Sequence, residues 1–184
     1  MAKCPICNSR QGKRKCFLVD DLICSRCCVS KRKAEICLEC TFYQKPKIKY
    51  NNVPAYSTSE MESNMDLESY GNSVEGALCT YDIKNGNILN DRDAIRIIEL
   101  LINIHYFNVQ DIDGESQVVI NGVDFIEDII KEDLKDVNNE VIVKILGIIR
   151  FVAKRRSKTG QEYMRLIHQY VGPRIGSGIR ILNR

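Results

Sequence analysis

The chain has 184 residues, 44% hydrophobic and 28% charged, with a formal net charge of +3, which leaves room for a small metal module and one helical domain of about a hundred residues. Its longest apolar stretch, 141–153, is interrupted by Lys144, Gly147 and Arg150, so a transmembrane helix is excluded and a buried core helix is expected. Charge is segregated: residues 1–50 carry 12 Lys and Arg against 4 Asp and Glu, residues 51–146 carry 6 against 19, and residues 147–184 carry 9 against 1.

Eight of the nine cysteines lie in the first forty residues: Cys4, Cys7, Cys16, Cys24, Cys27, Cys28, Cys37 and Cys40. Cys4/Cys7, Cys24/Cys27 and Cys37/Cys40 have the spacing that lets two thiolates reach one tetrahedral zinc, and eight ligands fill two sites. The same segment holds few large apolar residues (Ile6, Phe17, Leu18, Leu22, Ile23, Ile36, Phe42), too few to offset the entropy of ordering it. Metal must supply the folding free energy, on the order of 10 kcal/mol per site. A disulfide framework competes, but the chain opens Met-Ala-Lys-Cys-Pro with no apolar signal, so a reducing cytoplasm is the expected location. An iron–sulfur cluster needs about four thiolates and rarely uses three close pairs.

Sequential fours would give tandem sites, and interleaved fours would knit the segment together. The order C-x2-C-x8-C-x7-C-x2-C, followed by a further pair, resembles the B-box zinc module of tripartite-motif proteins over residues 4–43. That resemblance implies a cross-brace, with Cys4, Cys7, Cys24 and Cys27 on one zinc and Cys16, Cys37 and Cys40 on the other. The family's remaining ligand follows shortly after the position of Cys16, where this chain has Phe17-Leu18-Val19-Asp20-Asp21. Cys28 is assigned to the second zinc and Asp20 is the weaker candidate. A cysteine block followed by a helical domain also resembles a type of uncharacterised bacterial protein, which implies no function. With every position filled, both sites are structural, since a catalytic zinc keeps an open position.

Arg10, Lys13, Arg14, Lys15, Lys31, Arg32 and Lys33 form a basic cluster around these ligands. They suit either a phosphate-binding patch or the screening of anionic zinc–thiolate groups, because eight thiolates and two Zn²⁺ together contribute about −4. Residues 44–76, with Pro46 and Pro54 and a Ser/Glu/Asn-rich stretch, read as a flexible linker with at most a transient helix over 58–69.

A helical domain is expected over 77–172. Asn90 caps a first helix whose Ala94, Ile95, Ile97, Ile98, Leu100, Leu101 and Ile102 face inward, opposite Arg96, Glu99 and Asn103. Further helices are expected over 123–134, from Asn138 or Asn139 to Arg156, and after the capping box Thr159-Gly-Gln-Glu162, the last burying Tyr163, Met164, Leu166, Ile167, Tyr170 and Val171. Asn85-Gly86 and Asn121-Gly122 are hairpin signals that rank below helix-linking turns. Residues 173–184 form a basic tail. The fold class is thus a two-zinc Cys-rich module followed by an all-α bundle, with room for one short hairpin.

No phosphate loop, dinucleotide fingerprint or nucleophile elbow is present. His105 and His168 read as core or boundary histidines, Cys79 as a buried thiol, and Glu127-Asp128 and Glu132-Asp133 as solvated helix faces. The expected role is a non-enzymatic zinc-binding adaptor for protein–protein interaction or self-association. The alternative is nucleic-acid binding through the basic cluster above together with Lys154, Arg155 and Arg156.

Overall fold

A computed structural model describes residues 2–37, 40–42, 48–110, 112–176 and 179–180. The chain divides into two compact units, Met1–Ile48 and Lys49–Arg184. In the first, β1 (Arg14–Cys16) pairs antiparallel with β2 (Asp21–Ile23), followed by the short helices α1 (Ser25–Ser30) and α2 (Ala34–Cys37). The buried centre of this unit is Cys4, Ile23, Cys24 and Cys27, with Ile6, Cys7, Cys16 and Cys28 against it. One fully buried aliphatic side chain, Ile23, with a partly buried Ile6 beside it among so many thiols, is not a hydrophobic core.

The second unit is helical: α3 (Thr58–Ser63), α4 (Met65–Lys84), α5 (Asp91–Ile102), α6 (Gln117–Asp133), α7 (Asn139–Arg156) and α8 (Glu162–Tyr170). A single turn of 3-10 helix at Tyr50–Asn52 precedes them, and a π turn at Asn103–Phe107 extends α5 before Asn108 ends it in the left-handed region at φ 53°. The core gathers α4 to α8, centred on Leu78, Ile97, Leu101, Ile126, Leu146 and Tyr163.

Local signals placed several ends as expected. Asn90 accepts from the Asp93 amide at 3.0 Å to open α5, and Asn138 accepts from Glu140 at 2.8 Å to open α7, which runs to Arg156. The start of α8 differs. Glu162 gathers the Lys158, Thr159, Gly160 and Gln161 amides on its carboxylate and so shapes the preceding loop. The helix amides are capped by Asp91 of α5, which is fully buried and accepts from Tyr163 at 3.2 Å and Met164 at 3.0 Å. Tyr170, expected inward, is 66% exposed, because α8 ends there and its side chain lies off the buried stripe.

Residues 44–76 are not a linker through their length. Those at 44–47 lie outside the described residues, but Tyr50, Val53, Tyr56, Met61, Leu67 and Tyr70 pack on the core and Val74 is inside it. Ser57 and Glu60 form a full capping box for α3, and Asn64 caps α4. The polar composition hid these helices because only one side of each is needed for burial. The helical unit therefore begins at Lys49 instead of 77.

Neither hairpin signal forms a hairpin, and the helix-linking turn ranked above it is found at the first of the two. Asn85-Gly86 closes the C-terminus of α4, and Asn121-Gly122 lies inside α6, where a Cβ on Gly122 would meet Ile97 Cδ1 at 2.5 Å. The strands lie elsewhere, at β1–β2 and in β3 (Arg174–Gly176) with β4 (Ile179–Arg180). The expected tail is thus partly built in. Arg174 forks onto Asp133 with two 2.8 Å bonds, and its amide donates to Thr80 Oγ1 at 2.7 Å. Residues 177–178 and 181–184 lie outside the described residues.

Candidate metal centre

The first pair of thiols stands on a tight loop. The Asn8 amide donates to Cys4 O at 2.8 Å, and Asn8 takes a left-handed φ of 52°, so the chain turns back and brings Cys4 and Cys7 to one side. The second pair opens α1: Cys24 is its N-cap, and its Sγ accepts from the Cys27 amide at 3.5 Å. The β1–β2 hairpin joins the two, anchored where the Lys13 amide donates to Ile23 O at 3.0 Å. Gly12 allows this approach, because a Cβ there would sit 2.1 Å from Leu22 O.

The Sγ atoms of Cys4, Cys7, Cys24 and Cys27 consequently lie within 4.8 Å of one another. Tetrahedral zinc with Zn–S near 2.3 Å has S···S edges of about 3.8 Å, and Cys7 Sγ lies 3.9 Å from Cys24 Sγ. The donor set therefore fits a four-coordinate metal. Cys4, Cys24 and Cys27 are buried, at 0%, 3% and 8% exposure, and Cys7 is half-buried, so such an ion would be largely shielded from solvent.

Protonation points the same way. Ser9, through its hydroxyl and amide, and the Arg10 amide hold the Cys7 thiol down to about 5. Burial opposes the Cys4 thiolate, but the Cys24, Cys7 and Ile6 amides outweigh it and lower that group as well. Burial pushes Cys27 up to about 12, with Cys24, Cys7 and Cys4 adding to the shift. Crowded acids behave so without a cation: the first anions are stabilised and the last is repelled. A divalent ion would remove that repulsion and deprotonate all four.

The remaining four thiols, Cys16, Cys28, Cys37 and Cys40, are half-buried, and no second group of three or more metal-ligand side chains is gathered among the described residues. Cys27 and Cys28, adjacent on α1, part: one joins the buried four, while the other meets Arg14 Nη1 at 3.8 Å. Arg14 also lies over the Phe42 ring at 5.2 Å, and the Cys40 amide donates to Cys37 O at 2.9 Å. Asp20 is elsewhere, on the exposed hairpin turn, where Lys15 Nζ holds its carboxylate at 2.6 Å and lowers its pKa.

The basic cluster is thereby divided. Arg14 turns to Cys28 and Phe42, Lys15 to Asp20, and Arg32 donates to Phe42 O at 3.0 Å. Arg10, Lys13, Lys31 and Lys33 remain exposed. Sequence reasoning did not single out Ser9 as a donor to Cys7 or Arg14 as a neighbour of Cys28. The signal for Ser9 was its position two residues after a thiolate pair.

In the helical unit, the two histidines and several of the acidic residues are tied into packing. His168 Nε2 lies 2.8 Å from Asp82 Oδ2, whose other oxygen accepts from the Leu89 amide at 2.8 Å. His105 bridges Glu127 at 2.9 Å and Asn139 at 2.7 Å, joining the π turn to α6 and α7. Glu127 and Asp133 are therefore not solvated, as expected from sequence, but paired with His105 and Arg174. Glu99, expected outward, is 8% exposed because Arg150 at 2.9 Å and Lys154 at 3.1 Å reach it from α7. Cys79 is fully buried. No helix among the described residues is long and apolar enough to cross a membrane. Compared with known protein families, curated proteins and solved structures, the chain matches none.

Proposed function

We infer that residues 4–43 form a structural two-zinc module and that the chain is a non-enzymatic adaptor. The carrying observation is the closed set of four thiols, Cys4, Cys7, Cys24 and Cys27, with Sγ atoms within 4.8 Å and mostly buried. Such a set leaves no coordination position for water or substrate. A second zinc on Cys16, Cys28, Cys37 and Cys40 is supported by the contacts of Arg14 with Cys28 and with Phe42, two residues beyond Cys40, which bring α1 and Phe42 to the strand that carries Cys16. A guanidinium beside thiolates offsets their negative charge.

Elemental analysis tests this reading. Two zinc ions per chain are expected, and chelation should unfold residues 4–40 while α4–α8 persist, since their core contains none of these thiols. One zinc, or iron, would refute the two-site assignment. The second reading, nucleic-acid binding, is favoured by the exposure of Arg10, Lys13, Lys31, Lys33, Arg155 and Arg156. Native purification read at 260 nm separates the two, because the adaptor brings down protein and no nucleic acid.

A further inference from the structure

One face of the helical unit carries a long cleft with no occupant from the described chain. Its two ends are hollows of ≈ 650 and ≈ 330 Å³ that share Thr58, Val152 and Leu166. The floor is apolar, from Met61, Ile148, Val152 and Leu166, with Phe151 at one end 53% exposed and Tyr170 at the other 66% exposed. Large aromatics flanking a desolvatable floor are the residues that anchor protein interfaces. Charge divides the cleft lengthwise: Glu62, Glu68 and Glu75, the last accepting from the Tyr163 hydroxyl at 2.9 Å, line one end, while Arg155, Arg156 and Lys158 line the other beside Glu162, whose carboxylate is taken up by the amides of its own loop. Glu62, Glu68, Arg155 and Arg156 make no ion pair among the described residues.

We propose that this cleft receives an amphipathic helix of a partner protein, its apolar stripe on the floor, a cationic end at Glu62/Glu68/Glu75 and an anionic end at Arg155/Arg156/Lys158. The proposal rests on the adaptor reading and gives it a surface. A helix suits the site because α3, α4, α7 and α8 line it and a further helix can seat its side-chain ridge between theirs. The dipole favours the N-terminus at the acidic end, at the cost of placing the partner's lysines in its own first turn, and the side-chain charges supply the complementarity. Phosphate backbone does not suit it, because three carboxylates occupy one end. A second copy does not supply the occupant either, since α4 to α8 already commit their apolar stripes to the core.

The test uses the full chain and two capped peptides of roughly 18 residues. One has leucines at helical spacing, lysines in its first turn and glutamates in its last, and the other is a scramble without the period. Binding is followed by fluorescence anisotropy. The patterned peptide should bind and the scramble should not. Arg155→Glu with Arg156→Glu should weaken binding by about tenfold or more through like-charge repulsion, and a peptide with lysine in place of its glutamates should restore it. Phe151→Ala should weaken binding several-fold at unchanged helicity, as the ring is exposed. Equal binding of the scramble, or indifference to all three substitutions, overturns the cleft and leaves the adaptor reading standing. Sub-micromolar binding of duplex RNA or DNA at about 150 mM salt, lost in the double reversal, overturns the adaptor reading and the cleft with it.

Discussion

Replacing Gly147 with alanine sets two effects of opposite sign against each other. In the interior of an exposed helix, Gly→Ala gains about 1 kcal/mol of helix propensity. Gly147, however, is where the strap of residues 49–57 crosses α7: a Cβ there would lie 2.3 Å from Pro54 O, 3.1 Å from Ala55 Cβ and 3.2 Å from Pro54 C. The first obstacle is backbone, so the strap must move outward by roughly 1 Å to reach ordinary contact. That shift loosens Tyr50, whose hydroxyl donates to Asn103 Oδ1 at 3.0 Å and accepts from Arg96 at 3.3 Å, and whose ring lies under Arg150 at 4.7 Å. Overpacking of this kind costs about 3 kcal/mol at its upper end, and the broken hydrogen bond adds about 1 kcal/mol. Net destabilisation of about 2–3 kcal/mol should result, measured by urea unfolding of the helical unit, with faster hydrogen exchange at the Val53 amide, which donates to Tyr50 O. A Gly147→Ala chain as stable as the parent, or more stable, would refute the claim that the strap is docked at this glycine.

Asp91→Ala should cost about 2–4 kcal/mol in the same assay, because it orphans two buried amides, Tyr163 and Met164, and removes the cap of α8; Asp91→Asn, which keeps one acceptor, should cost less. His105 gives a pH dependence. Burial opposes its charging, but the bonds to Glu127 and Asn139 prevail and raise its pKa, so its stabilisation is full below the unfolded value near 6.5 and is lost as pH rises through the folded one. Unfolding free energies at pH 6 and pH 8.5 should differ in that direction, with the difference reduced in His105→Gln. At the metal module, Asp20→Ala should leave zinc content unchanged, since Asp20 is exposed and held by Lys15, whereas Cys28→Ser should lower it from two ions to one. The reverse pattern of zinc content would make Asp20 the ligand.

The sequence by itself determined what depends on neighbours along the chain. The Cys-x2-Cys spacing placed the candidate ligands, and Asn90 and the Asn138-Asn139 pair marked the starts of α5 and α7 because a cap needs only the next three residues. The 3.6-residue period identified Ile97, Ile98 and Leu101 as interior. The tertiary structure decided whatever depends on a distant partner. Glu99 is buried because α7 brings Arg150 and Lys154 to it, and Asp91 serves α8 across more than seventy residues of sequence. Gly122 was read as half of a turn signal, yet its small size is used where α6 meets Ile97 and Tyr81. Residues 49–76, polar in composition, became structure because a half-apolar strap and helix gain stability only when a core formed by later residues is there to receive them.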